Sequence, residues 1–383
     1  MRFLRKNKKV QKTIIVISDI HLGAGAIVNG KRNPLEDFDA DQELVEFLNF
    51  YSQKDYQNME VELIINGDFL DLLAVPFVPY FDDEFWSEKA SLEKLEIILN
   101  AHPEVIEALK EFVATKNKSL VYIIGNHDAE LIFDSLQTKF LEIFEEADRE
   151  KVTLSKDIST YSPAAGIFLE HGHEYELAHQ FDVNDSVVES SKGERYFVPS
   201  WGSYYVTHVI NKYKKERDHV NAVRPIRSFI IHGLIFDTFF ILRFLIANAY
   251  YFMMVRFLHY YRLNIGLKKV IDESIKQLSL FEDYETLTQE FFKKNKDAKV
   301  LIVGHTHEPK ITEFADGTTF INTGTWTKMI SLDLNTKNDD SALTYAKIQI
   351  SKKDYELNEF DDAVRVELNK WEPKTNLPYS QFS

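Results

Sequence analysis

Residues 13–21 read TIIVISDIH, an apolar, β-branched run that stops abruptly at Ser18, Asp19 and His21, and this run decides the fold. Thr, Ile and Val in succession favour a pleated strand, and the lack of polar alternation buries it on both faces. Four further stretches have the same construction: VELIINGD at 61–68, SLVYIIGNHD at 119–128, IFLEHGH at 167–173 and KVLIVGHTH at 299–307. Each reads as a buried strand ending in small or titratable residues. Between the early ones, helical patterns cover 41–52, 87–100 and 104–115, the last opened by Pro103 at a first-turn position that needs no backbone N–H. Alternating strand and helix predict an α/β sheet. Apolar runs at 318–322, 329–332 and 343–350 follow with no helix-length spacer between them, which predicts a β meander for the C-terminal part. No internal repeat is visible.

The chain has 383 residues, 44% apolar and 27% charged, enough to bury a sizeable core. Its formal charge of -15 argues against a surface built to hold nucleic acid, and no specific nucleic-acid partner is expected. Cysteine is absent, which excludes disulfide scaffolds, thiolate zinc sites and cysteine nucleophiles. Any metal therefore sits on His, Asp, Glu or Asn. The first residues, MRFLRKNKKVQK, are basic like the start of a signal peptide, but the apolar run 14–17 is too short for one. A cytoplasmic protein is expected.

The strand ends carry the chemistry: Asp19 and His21, Gly67-Asp68, Gly125-Asn126-His127-Asp128, His171-Gly172-His173, and Gly304-His305-Thr306-His307. In an open α/β sheet the carboxyl ends of strands face one crevice, so residues far apart in the chain can converge there. The donors are hard or borderline O and N groups, suited to manganese, iron, zinc or magnesium. An x-His-x-His pair at a strand end sends both imidazoles to one face. Any one of these pieces alone is better explained by a capped turn or a packed histidine. Together and in this order they resemble the calcineurin-like metallophosphoesterase superfamily, whose pattern is D-x-H, G-D, G-N-H-[DE], a single H and G-H-x-H.

The resemblance spans about residues 13–174 and 299–322. It implies a metallophosphoesterase β-sandwich flanked by helices, in α/β/β/α layers, with a large helical insertion. It further implies that Asp19, His21 and His307 hold one divalent metal ion, that Asn126, His171 and His305 hold a second, and that Asp68 bridges both. Two cations roughly 3.5–4 Å apart make a hydroxide near neutral pH and clamp the oxygens of an in-line displacement. By the same resemblance His127 faces the substrate, as acid or phosphoryl stabiliser, while Asp128 orients its ring. Asp71 reads equally as a partner for a ligand histidine or as a helix-start cap. His171 is taken as the ligand because it comes first after its strand, with His173 as the alternative. The implied activity is hydrolysis of a phosphodiester or pyrophosphate by a metal-bridging hydroxide. A soluble nucleotide phosphodiesterase or phosphoprotein phosphatase is the competing enzyme, and a silent scaffold on the same fold the competing class. Histidines 102, 179, 208, 219, 232 and 259 have no motif around them and read as surface or packing residues.

One region breaks the pattern. Residues 206–269 hold eleven Lys and Arg against three acidic residues, a net of +8, so the rest of this -15 chain carries -23. Within it, FIIHGLIFDTFFILRFLIANAYYFMMVRFLHYY at 229–261 is too apolar for an ordinary surface helix. Asp237, Arg243 and Arg256 interrupt it, which disfavours a simple spanning helix. The expected organisation is a core of residues 1–180 and 296–350, a mostly helical insert of 181–295 and a C-terminal tail of 351–383. The insert is expected to cover the substrate or to lie on an anionic membrane surface, on the inner face of the cytoplasmic membrane. Its alternative is a buried hairpin or homo-oligomer interface. Here the chain is distantly similar to the UDP-2,3-diacylglucosamine hydrolases, peripheral membrane members of the superfamily with a helical insert. That group reads G-N-R-D where this chain has Gly125-Asn126-His127-Asp128, and is much shorter.

Overall fold

A computed structural model describes residues 9–75, 86–155, 160–176, 179–183, 185–217, 220, 222–224, 226–262, 284–331 and 343–372. Eleven strands build two sheets: β1 (Lys12–Ile17), β2 (Glu60–Asn66), β3 (Lys118–Ile123), β4 (Val152–Ser155), β5 (Tyr161–Ala164), β6 (Ile167–Leu169), β7 (Val300–Val303), β8 (Lys310–Glu313), β9 (Thr319–Asn322), β10 (Thr344–Ile350) and β11 (Val364–Lys370). The first sheet has six strands in the order β11-β10-β1-β2-β3-β4, and the second five in the order β8-β9-β7-β6-β5. β1, β2, β3 and β4 run parallel, as do β6, β7 and β9.

Alternation along each strand assigns its two faces. Ile14 and Val16 of β1, Ile64 of β2 and Ile123 of β3 meet Ile167, Leu169, Val300 and Ile302 of the second sheet, and all are essentially buried. Their neighbours Ile15, Ile17, Leu63, Ile65 and Tyr122 point the other way, onto α1 (Asp41–Ser52), α2 (Glu88–Ala101) and α3 (Pro103–Ala114). Leu301, Val303 and Phe320 pack outward from the second sheet on Phe291 and Phe292. These two belong to the helix Tyr284–Lys294. The layers are therefore α/β/β/α, as expected.

The helices lie within a residue of the positions read from sequence. Ser87 caps α2, its side chain accepting from Ala90 N at 3.2 Å. Two expectations need correction. The three C-terminal runs do not form a meander: β9 lies in the second sheet, Ile330–Ser331 pairs with Val223–Arg224 of the insert, and β10 pairs with β1 in the first sheet. Local alternation marks a strand but carries no address for its partner. Residue 332 lies outside the described residues.

The segment after 350, set apart as a tail, returns to the core instead. β11 pairs with β10 along its whole length, and Trp371 is buried against Phe47 and Phe50. Its strand pattern VRVELNK is mostly polar because an edge strand has one solvated face. Finally, the insert opens on strands: Val187–Glu189 pairs with Arg195–Phe197, which in turn pairs with Trp86–Ser87 of the core. Further on it is helical, with α4 (Ile226–Phe236) and α5 (Thr238–Arg262) forming a hairpin.

Candidate metal centre

All the strand-end residues gather where the carboxyl ends of β1, β2 and β3 in one sheet meet those of β6 and β7 in the other. Backbone hydrogen bonds lace these ends together: Asp19 N to Gly67 O at 3.1 Å, His21 N to Asp68 O at 2.9 Å, and Gly304 N to His171 O at 2.8 Å. Seven described residues other than glycine have positive φ, and five of them are Asp19, His21, Asp68, His305 and His307. Left-handed backbone is costly for such side chains and persists where the surroundings enforce it. Here these five residues bring their side chains together in the crevice. The glycines of the motifs have an equally local reason. A Cβ on Gly67 would strike the His171 ring, and one on Gly125 the Asp68 carboxylate.

Among the described residues four overlapping groups of potential ligands result, and the two built only from the strand-end residues expected to hold metal lie side by side. Asp19, His21 and His307 form one, with His307 Nε2 3.3 Å and His21 Nε2 3.9 Å from Asp19 Oδ1. Asp68, His171 and His305 form the other, with His171 Nε2 3.2 Å from Asp68 Oδ2. The same Asp68 oxygen is 3.9 Å from His21 Nε2, so it stands between the groups. Asn126 is buried beside them, its Nδ2 3.4 Å from His179 Nδ1.

The donors fit divalent cations. Asn126 Oδ1 and His171 Nε2 are buried without a hydrogen-bond partner, a costly arrangement that a cation between them would relieve. His171 Nδ1 is bonded to Asn66 O at 2.7 Å, which leaves Nε2 as the ligand atom. Electrostatics point the same way. Burial alone would keep His171 neutral, yet the Asp68 carboxylate overrides it and raises its pKa to about 10. For His21 burial is likewise overridden, by Asp71, Asp68 and Asp19, to about 9. Asp68 is pulled far below the ordinary carboxylate range: burial opposes this, but His171 and His127 prevail. The crevice is thus a buried concentration of negative charge that attracts cations.

Of the two histidines after β6, His171 belongs to the Asp68 group, whereas His173 stacks flat on Phe181 at 5.0 Å. His127 lies outside the two groups at the crevice mouth, edge-on to His21 at 4.5 Å. Asp128 does not orient its ring, in contrast to the expectation. The Asp128 carboxylate accepts from Gly125 N at 2.6 Å, Phe69 N at 2.9 Å and Tyr122 Oη at 2.6 Å, and so shapes the loop. Those three donors hold it inside the fold. Asp71 takes the place beside the ring, 2.9 Å from His127 Nδ1. Asp71 also faces the potential ligand His21, its Oδ2 3.6 Å from Nδ1, and its Oδ1 accepts from Ala74 N at 3.0 Å and caps a short helical turn, so both readings of Asp71 have a counterpart.

Glu176 of the crevice went unnoticed in the sequence, and His179, expected to be a surface or packing residue, stands beside it among the potential ligands. Glu176 Oε2 lies 3.2 Å from His305 Nε2 and 3.6 Å from His179 Nε2. Burial pushes the Glu176 carboxyl up, but the bond to His305 outweighs it and holds the pKa at about 2. The available signal was the Glu-x-x-His spacing that places 176 and 179 on one side of a turn, directly after the histidine block.

A family model described as calcineurin-like phosphoesterase matches residues 12–309. No curated protein matches the chain. Among solved structures, vacuolar protein sorting 29 from Cryptosporidium parvum is similar at 13% identity and a TM-score of 0.30, over 95% of this chain and 100% of that one. A conserved uncharacterized protein from Streptococcus pneumoniae is similar at 10% identity and a TM-score of 0.27, over 93% and 97%. A putative 5'-nucleotidase from Staphylococcus aureus is similar at 11% identity and a TM-score of 0.32, over 96% of this chain and 55% of that one.

Proposed function

We propose, from the premise that this chain belongs to the calcineurin-like phosphoesterase family, that it hydrolyses a phosphodiester or pyrophosphate bond with two divalent cations held in the crevice. The observation that carries the reading is the position of Asp68, one oxygen of which lies 3.2 Å from His171 and 3.9 Å from His21, between two groups of ligands. Asp19, His21 and His307 would hold one cation, and Asn126, His171 and His305 the other. Manganese is the first expectation, and iron, zinc or magnesium suit the same donors. Such cations, when bound, neutralise phosphoryl charge and acidify water to a nucleophile at neutral pH.

The chain's own residues supply the rest. Asp71 fixes the His127 ring through Nδ1 and so presents Nε2 at the mouth of the crevice. From there it stabilises a phosphoryl oxygen or delivers a proton to the leaving group. The loop that carries it is kept rigid by the three bonds to Asp128.

The test is turnover of bis(p-nitrophenyl) phosphate, a nucleotide sugar and p-nitrophenyl phosphate after chelation and Mn²⁺ return. Metal-dependent cleavage of the diester or the pyrophosphate is expected. Turnover of the monoester alone would overturn the bond class.

A further inference from the structure

The α4–α5 hairpin turns apolar side chains both ways. On its inner face Phe240, Ile241 and Phe244 of α5 are buried against Val209, Tyr213, Val220 and Val223. Gly233 lets the two helices approach, since a Cβ there would meet the Ile241 side chain. The outer face is no more polar. Of the eleven large apolar side chains exposed among the described residues, eight lie on this hairpin. Ile231 and Ile235 mark the outer face of α4, while Ile246 and Tyr250 continue it on α5. At the turn between the helices Phe236 is 85% exposed and Phe239 75%. A contiguous apolar face of this kind marks a surface that something covers.

We infer that the covering partner is an anionic membrane surface, on which the hairpin lies with its exposed apolar side chains at the boundary of head groups and acyl chains. Three observations favour this occupant. First, the segment 206–269 carries a net +8 in a chain whose remainder carries -23, which complements acidic head groups. A second copy of the chain would bring two such basic segments together. Second, the hairpin does not cross. The 11 residues of α4 reach only about 16 Å, and Asp237, ion-paired to Arg217 at 2.8 Å, sits at the turn. No helix among the described residues is long and apolar enough to span a membrane. Third, a basic group, Arg243, sits at the edge of the apolar face, paired to Glu216 at 2.7 Å. The Arg243 guanidinium lies 6.0 Å from the Phe239 ring, where an interfacial helix has its polar border.

The hairpin is also tied to the metal crevice. In the helix preceding it, Asn211 Nδ2 donates to Leu73 O at 2.8 Å and Lys214 Nζ to Asp37 Oδ2 at 2.7 Å. Leu73 is two residues beyond Asp71. A membrane-lying hairpin therefore holds the crevice at a fixed height over the lipid surface, independently of which phosphoester is cleaved.

Sedimentation of the full chain with phosphatidylcholine vesicles, with and without phosphatidylglycerol, tests this. Binding only to the phosphatidylglycerol vesicles, weakened by salt, is expected. Phe236→Asp and Phe239→Asp should each lower vesicle affinity about tenfold or more. Melting temperature, metal content and hydrolysis of a small soluble diester should not change in these variants. Absence of binding by the unaltered chain overturns the inference whatever the variants do. A dimer in light scattering that Phe239→Asp converts to a monomer would overturn it as well, by giving the face to a second copy.

Discussion

Asp68 Oδ2 lies 3.2 Å from His171 Nε2, a contact that joins the carboxyl end of β2 in one sheet to that of β6 in the other. Neither residue is solvent-exposed, so the negative charge is compensated only from within the crevice. The first prediction follows directly. Asp68→Ala should lower bound metal from two ions per chain and abolish turnover, because both ligand groups adjoin the missing carboxylate. Metal analysis after loading with Mn²⁺ checks it, and full occupancy in the variant would remove Asp68 from the site.

His127 and Asp71 should behave as one unit. His127→Ala is expected to keep its metals and lose roughly 10²–10⁴-fold in rate. Asp71→Asn, with the 2.9 Å bond to Nδ1 altered, should lower kcat in the same direction and shift the pH profile of kcat. Unchanged kinetics in His127→Ala would place the ring outside the mechanism.

Glu176 should act through His305. Its 3.2 Å contact with Nε2 orients that ring and leaves the other nitrogen for a cation. Glu176→Gln is expected to weaken the cation site of Asn126, His171 and His305 about 10–100-fold while the fold melts normally. A metal titration followed by calorimetry would reveal either that loss or its absence.

Lys94 and Glu130 form an ion pair at 2.9 Å whose side chains are at most 1% exposed. Ser91 Oγ donates to the same carboxylate oxygen at 2.7 Å. Removing the ammonium leaves a buried charge without its partner, so Lys94→Met should cost about 3–5 kcal/mol in denaturant unfolding. The double change with Glu130→Leu should recover most of that loss.

Glu36 should give stability a pH slope of its own. Burial, only partly offset by His102 and the Gly23 and Gly25 N–H groups, raises its carboxyl to about 7. The folded chain then binds a proton that the unfolded chain has released. Stability from this group is therefore full at acid pH and falls as pH rises from about 4.5 to about 7, by up to about 3 kcal/mol. Glu36→Gln should flatten that part of the slope in urea titrations across this window, and an identical slope would refute the assignment.

How much was legible follows from what each inference needed. The strands β1, β2, β3, β6 and β7 could be read because a buried strand is written in consecutive residues, and Ser87 and Pro103 announce their helices within one turn. β4, β5, β8 and β11 carry weaker, more polar patterns and were missed or set apart as tail. The partner of each strand was unreadable, as the three C-terminal runs show, since a ladder is chosen by burial and connection length across the whole chain. The exchange of Asp128 for Asp71 has the same origin: the family resemblance implied Asp128, but that carboxylate is bound by Gly125, Phe69 and Tyr122, and Asp71 from another loop reaches the His127 ring.

By itself, then, the sequence determined the strand-end blocks, their glycines and the donor types available to a cation, because residue chemistry and backbone preference are local properties. Only the tertiary structure decided that Asp68 faces both ligand groups, that Glu176 reaches His305, and that eight apolar side chains of one hairpin face outward. Those relations are distances between elements far apart in the chain, fixed by sheet register and by packing of the insert on the core, and no local pattern encodes them.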